Sequence, residues 1–367
     1  MPAQKKTDAD RLADANEIIR KKNAENVDQR RQIQQLQRDE DTAEKIRAEI
    51  WGLSEHDPAP PAWLTGKGIP HGGRGGPVLM VSDIHYGEVV RKDEVGGVNE
   101  FNAQIAARRI KALTDATVDI TSNHMGRSNV PYPGIVVALL GDMISGNLHE
   151  ELLATNDKTP HQSVNEVIDL LAAMIDTLAT KFGRVFAPAV CGNHGRSTHK
   201  GRYKGLVYSN FDWNIYCGLA RYFRKEKNIQ FMIPNAADAR FNVFGTRFLA
   251  SHGDNFGVKG GDGIIGVLGP LARGRLKVGQ SEAAIGRDFD VLLCGHYHQL
   301  VFLPNLICNG TVKGFCDFAH LALRAPYAPP SQALFFVHPK LGITARWPIF
   351  LEPPQKAIEK SAWTSWE

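Results

Sequence analysis

Five short apolar runs, each closed by a small set of Gly, Asp, Asn or His, constrain this chain more than any other feature. The runs are Val78–Val81, Ile135–Leu140, Val185–Val190, Phe248–Ala250 and Val291–Leu293. Runs this short, without polar alternation, read as strands covered on both faces. Helical stretches lie between them, notably Phe101–Met125 and Val164–Phe182. Strand and helix in repetition predict an α/β fold around a layered sheet. Beyond Leu300 the helical pattern fades, and Ala333–Val337 and Gly342–Trp347 read as strands of a closing β region.

The polar sets follow in order: Ser82-Asp83-Ile84-His85, Gly141-Asp142, Gly192-Asn193-His194, Ser251-His252-Gly253-Asp254 and Gly295-His296-Tyr297-His298. Each begins where a strand ends, and ligands of open α/β sheets gather at the carboxyl ends of strands. The donors are carboxylate, amide and imidazole without thiolate, a mixture suited to Mn²⁺, Fe, Zn²⁺ or Mg²⁺. In Asp83-x-His85 and His296-x-His298 the spacing of two directs both side chains to one side of an extended segment.

In this order the motifs D-x-H, G-D, G-N-H, H and G-H-x-H resemble those of the calcineurin-like metallophosphoesterases, over roughly residues 77–310. In character the chain is closest to the DNA-repair exonuclease branch. The resemblance implies a layered αββα sandwich and two divalent metal ions, Mn²⁺ foremost. Asp83, His85 and His298 would hold one ion and Asn193, His252 and His296 the other, with Asp142 bridging. His194 would protonate the leaving group while a metal-bridging hydroxide attacks phosphorus in line, hydrolysing a phosphodiester. Two positions depart from the family's habit. Gly195 stands where an acidic residue often follows G-N-H, and Ser145 and Gly146 stand where phosphatases carry Asp and Arg. These departures argue against the protein Ser/Thr phosphatase branch. They leave the orientation of His194 to Asp254 or to a backbone carbonyl.

Substrate hints are electrostatic. Arg196, Lys200, Arg202 and Lys204 follow His194 with no acid among them, and Arg273, Arg275 and Lys277 form a second basic cluster. Such loops suit a nucleic-acid backbone or a second phosphate, and equally a solvated surface. His149 and Glu150 are candidates to line the site. Net charge is only +4, which permits a polyanionic partner without requiring one. The substrate is therefore expected to be nucleic acid. The alternatives are a nucleotide or cyclic nucleotide, or no substrate at all in a scaffold protein with a vestigial metal site.

Around this domain, residues 77–355, three further segments are read. Residues 1–55 are a polar helical arm: Leu12 and Ile19, then Leu36, Ala43 and Ile50, recur by seven, with a break in register between. That pattern serves either a helix packed on its own domain or a coiled coil that joins copies into a homo-oligomer. Residues 56–76 are a Pro/Gly linker, and 356–367 a tail. Gly261-x-Gly263-x-x-Gly266 matches a dinucleotide fingerprint on paper, but no strand leads into it, and a mobile loop beside the site is the expected role. The five cysteines include no C-x-x-C pair, which excludes a zinc ribbon and argues against a disulfide framework. No apolar leader or membrane-length run is present, so a cytoplasmic protein without membrane association is expected.

Overall fold

The computed structural model describes Lys22, Arg30 and residues 60–65, 75–125, 131–148, 150–198, 204–258 and 266–353. The chain divides into two compact units, Met1–Asp57 and Pro58–Glu367. In the first, Lys22 and Arg30 are helical and exposed; the rest of the expected arm lies outside the described residues, as do Lys200, Arg202, His149, residues 259–265 and the tail.

The second unit is mixed α/β with two sheets. In chain order its elements are β1 (Gly76–Val81), α1 (Ala103–Asp119), β2 (Ile135–Leu139), α2 (Glu150–Thr155), α3 (Pro160–Phe182), β3 (Val185–Pro188), α4 (Phe211–Tyr222), β4 (Ile229–Met232), β5 (Ala239–Val243), β6 (Thr246–Ala250), α5 (Leu268–Ala283), β7 (Val291–Cys294), β8 (Val301–Leu303), β9 (Leu306–Cys308), β10 (Ser331–His338) and β11 (Gly342–Phe350). One sheet runs β11-β10-β1-β2-β3-β4, the other β5-β6-β7-β9-β8. Strands β1 to β4 are mutually parallel, as are β6, β7 and β9. The segment expected to close the fold is thus divided: β8 and β9 extend the second sheet, while β10 returns antiparallel beside β1 in the first.

Local chemistry sets the helices that flank the sheets. The side chain of Asn102 caps α1, accepting from the Ile105 amide at 2.9 Å. Thr159 and Gln162 form a capping box at the start of α3, Pro160 occupies its first turn, and Gly183 ends it at φ 74°; each device satisfies helix-end groups or fixes the entering dihedral. On α1 the buried residues Ile105, Ala106, Arg109, Ile110 and Leu113 recur at three and four, the spacing of one helix face.

A single buried cluster draws on both sheets: Val78, Met80, Val136, Ala138 and Phe335 from the first, Phe241, Phe248, Ala250, Leu293 and Ile307 from the second. The opposite residues of the second sheet, Leu249, Leu292, Cys294, Leu306 and Cys308, join Leu271 of α5 in another. All five cysteines are free and buried, and Cys294 and Cys308 pack within the second of these clusters. Part of the expected linker is bound into this core: Leu64 is fully buried in the shared cluster, and its carbonyl accepts the Phe244 amide at 2.8 Å.

Phe248 stacks on Phe241 at 5.5 Å and meets Phe335 of the other sheet at 5.8 Å, centroid to centroid. Phe248→Ala is expected to cost about 3–5 kcal/mol of stability through lost burial and a residual cavity, read from the midpoint of urea unfolding.

Candidate metal centre

The turns after β1, β2, β3, β6 and β7 bring all seven expected ligands to one end of the sheets. Backbone bonds join the turns to one another. The Asp83 amide donates to Gly141 O and the His85 amide to Asp142 O, both at 3.0 Å, and the Ser251 amide donates to Leu293 O at 3.0 Å. The carbonyl of Asp83 accepts from the Val312 amide and from Thr311 Oγ1, at 3.1 and 2.9 Å. This tight stitching matters because the ligands sit in an unusual backbone conformation. Asp83, His85, Asp142, His296 and His298 make up five of the seven described non-glycine residues with positive φ, at 50–70°. That region costs roughly 1–2 kcal/mol for each L-residue, and it persists only where the surroundings over-determine it, typically at functional sites. Gly295 belongs to the same logic: a Cβ there would run into Asp83 Oδ2 and Ser82 Oγ.

Side chains converge in two groups. Asp83, His85 and His298 offer ligand atoms within 4.8 Å of one another, and so do Asp142, His252 and His296. Within the first, His298 Nε2 lies 3.0 Å from His85 Nε2 and 3.3 Å from Asp83 Oδ1. Within the second, His252 Nε2 lies 3.0 Å from Asp142 Oδ2 and 3.2 Å from Asn193 Oδ1. Asp142 links the two, since its Oδ2 is also 3.9 Å from His85 Nε2. His85, Asp142 and His194 form a further group on the same spot.

Three observations test whether this pocket fits metal. Asp142 is 1% exposed, and its buried Oδ2 is faced by imidazole nitrogens of both groups, His252 Nε2 at 3.0 Å and His85 Nε2 at 3.9 Å; a buried carboxylate charge is costly unless a positive group meets it. The ring of His252 is turned by its Nδ1, which donates to Leu140 O at 2.7 Å and so leaves Nε2 facing Asp142, an outer-sphere arrangement typical of ligating histidine. His85 Nδ1 faces Glu88 Oε2 at 3.5 Å, leaving its Nε2 toward Asp83 and Asp142. The residues present fit two divalent cations.

Electrostatics agree. Burial, then the charge of Lys313 and of neighbouring histidines, holds His85 well below the usual imidazole range, and burial with the charge of His252 pushes His296 down to about 4. Both are neutral and ligand-competent at pH 7. His252 differs: burial opposes its charge, but the Asp142 carboxylate, aided by Asp83 and Asp254, raises it well above the usual range. Asp142 is pulled well below the ordinary carboxylate range by His252 and His194 despite its burial. A cation entering here must displace the His252 proton, so affinity rises with pH until that group is neutral. Metal uptake is expected to release protons from His252, more of them as the pH is lowered. Calorimetry in buffers of different ionisation enthalpy reads this release; zero release at pH 6 would mean that His252 carries no proton in the metal-free protein.

His194 stands beside the ligands, its ring 4.5 Å from that of His85. Its amide donates to Asp142 Oδ1 at 2.7 Å, and its Nδ1 lies 3.0 Å from the Ser145 carbonyl. A carbonyl only accepts, so Nδ1 carries the hydrogen. A backbone carbonyl, and that of Ser145, is therefore the group that orients His194. Arg196 is partly buried, with its Nε donating to Asn193 O at 3.1 Å, whereas Lys204 is exposed. Of the second basic cluster, Arg275 lies over the Phe289 ring at 4.2 Å and Lys277 donates to Gly257 O at 2.6 Å, which are packing roles. Glu150 is exposed at the start of α2.

Two residues beside the centre escape a reading by motif. Glu88 and Lys313 form a buried ion pair at 2.8 Å, and burial works against the lysine's charge while Cys316 and Glu88 sustain it above the ordinary lysine range. Glu88, Cys316 and Asp317 could form a separate ligand group, but Lys313 already supplies the positive charge there. Arg109 donates to the carbonyls of Val312 and Lys313 at 2.9 and 2.6 Å and fixes that loop from behind.

No model of a known protein family matches this chain, and no curated protein sequence does either. Among solved structures it is similar to the sulfate thiohydrolase SoxB of Thermus thermophilus in complex with glycerol, with TM-score 0.31 and 10% identity over 77% of this chain. The match spans 58% of that protein's length. It is also similar to a dimetal phosphatase from Danio rerio, with TM-score 0.33 and 11% identity, covering 76% of this chain and 100% of that one. Likeness at this level concerns the path of the chain alone.

Proposed function

We propose that this protein is a metal-dependent phosphoesterase. Asp83, His85 and His298 would hold one divalent cation, Asn193, His252 and His296 a second, and Asp142 both. The observation that carries this reading is Asp142 Oδ2, a fully buried carboxylate oxygen that lies 3.0 Å from His252 Nε2 of one ligand group and 3.9 Å from His85 Nε2 of the other. Oxygen and imidazole donors suit Mn²⁺, Fe, Zn²⁺ or Mg²⁺. Such ions supply Lewis acidity toward phosphoryl oxygens and make water a stronger acid. The chain's own residues do the remainder. The His296 amide donates to both Asp83 oxygens at 3.0 and 3.2 Å, which fixes the carboxylate and ties the fifth motif to the first. Ser145 holds His194 by Nδ1, so the proton given to a leaving oxygen comes from Nε2. The shared inter-sheet core, with α5 on the far side of the second sheet, supports a layered αββα sandwich of the metallophosphoesterase type.

The substrate is proposed to be a phosphodiester of nucleic acid. Support comes from the run Arg196 to Lys204 and from the bond that holds Arg196 to the carbonyl of Asn193. The N-terminal arm, residues 1–55, is proposed to join copies of the chain. The full chain assayed with Mn²⁺ on bis-p-nitrophenyl phosphate and on labelled single- and double-stranded DNA tests both substrate readings. Diester turnover, with a DNA affinity that falls steeply with salt, is the expected result. Diester turnover without DNA cleavage would move the substrate to a nucleotide. No turnover with Mn²⁺, Mg²⁺, Fe²⁺ or Zn²⁺ would overturn the enzyme and leave a scaffold.

A further inference from the structure

Outside the ligand set, one carboxylate grips two of the motif turns at once. Asp212, in the first turn of α4, is fully buried. Its Oδ2 accepts the amides of Asp142 and Gly192, at 2.9 and 2.8 Å, and its Oδ1 accepts that of Met143 at 3.1 Å. The residues before it complete the grip. Asn210 Nδ2 donates to Gly192 O at 2.7 Å, Asn210 Oδ1 accepts the Asp212 amide at 2.9 Å, and the Phe211 amide donates to Gly195 O at 2.7 Å. Three converging N–H donors call for acceptor capacity on both oxygens, which an ionised carboxylate has and an amide lacks.

Gly195 makes room for this group. A Cβ at that position would run into Asn210 Oδ1 and lie 2.9 Å from Asp212 Cγ. The volume beside His194 that a side chain at 195 would fill is thus occupied by the Asn210 amide oxygen and, next to it, the Asp212 carboxylate. Asp212 reaches neither ligand face of Asp142 nor a reacting atom. It holds the backbone on which Asp142, Asn193 and His194 are mounted.

We propose that Asp212 is a positioning residue of the metal centre, delivered from α4 into the space that Gly195 leaves open, which locks the Asp142 and Asn193 turns so that both can serve the same pair of cations. Its consequence for metal rests on the phosphoesterase reading above; the clamp itself does not. Asp212→Asn is the decisive variant, because it keeps the shape and turns an NH₂ toward at least one backbone N–H.

The full chain and this variant would be titrated with Mn²⁺ under electron paramagnetic resonance, assayed on bis-p-nitrophenyl phosphate, and followed by amide hydrogen exchange without metal. The expected result is a Kd for Mn²⁺ raised about 10-fold or more, with kcat lowered and KM unchanged. Faster exchange is expected at Asp142, Met143 and Gly192 and not along β7. Gly195→Ala, which presses on Asn210 Oδ1 and on the Asp212 carboxylate beside it without altering any charge, is expected to raise Kd in the same direction, and it carries the test should Asp212→Asn fail to fold. Wild-type Mn²⁺ affinity in the folded variants overturns the proposal. If the unaltered chain takes up no Mn²⁺, the phosphoesterase reading fails, and unchanged exchange at the three amides then overturns the clamp independently.

Discussion

Asp142→Asn is expected to reduce diester turnover by about 10³-fold, the equivalent of roughly 4 kcal/mol of transition-state stabilisation, and to leave no more than one cation per chain. The amide is nearly isosteric and can keep the bond to the His194 amide through its oxygen. What disappears is the charge on Oδ2, which faces His252 at 3.0 Å and His85 at 3.9 Å. A second sign follows from the same charge. Asp142 is the leading influence that raises His252 against its burial, so in the variant that ring returns toward neutrality and proton release on metal uptake shrinks. Elemental analysis of metal content, kcat and buffer-dependent calorimetry check the three parts. Two cations per chain with undiminished turnover would remove Asp142 from the shared position.

His194→Ala is expected to keep both cations and lose kcat by about 10²–10⁴-fold on esters with alkoxide leaving groups. The loss on p-nitrophenyl esters is expected to be far smaller, since p-nitrophenolate departs without a proton. The pH dependence has a definite sign. The protonated ring is the donor, so kcat falls as pH rises through its pKa. Burial holds that pKa below the ordinary 6.5, although Asp142 and the Ser145 carbonyl work the other way. The descending limb of the profile therefore begins below 6.5 in the unaltered protein and is absent in the variant. An equal loss on both kinds of leaving group, or a limb that survives in His194→Ala, would show that His194 positions substrate or backbone instead of moving a proton.

The ligand-bearing end of the fold was legible because its strands are buried on both faces. Apolar runs such as Val291–Leu293 stand out in the chain, and the polar residue after each is necessarily at a strand end. The five polar sets that hold the seven converging side chains were readable in this way, and the resemblance to a family singled out the seven among them. Elements that lean on tertiary contacts were not. Helix α5 contains Pro270 and three glycines after Leu268, a poor helix former by intrinsic preference. Gly274 is needed there because a Cβ would meet the Phe256 ring. Strands β8 and β9 have three residues each, too few to show a period. The groups around the ligands are hidden for another reason. The Ser145 and Leu140 carbonyls belong to the backbone, which every residue has, so sequence carries no mark of them. Glu88 and Lys313 lie 225 positions apart, and Asp212 lies 70 beyond the Asp142 that it supports.

The division of ligands between the sheets has a mechanical consequence. Asp83, Asp142 and Asn193 are mounted on the first sheet, whereas His252, His296 and His298 are mounted on the second. Cations shared between them would act as rivets across the seam, with strength set by free metal concentration. At one hundred times Kd a single such site adds about 2.7 kcal/mol to the folded state, comparable with an aromatic side chain at the inter-sheet core. A chelator would then loosen the junction of the two sheets before it disturbed either sheet alone, and the melting temperature would become a gauge of metal supply.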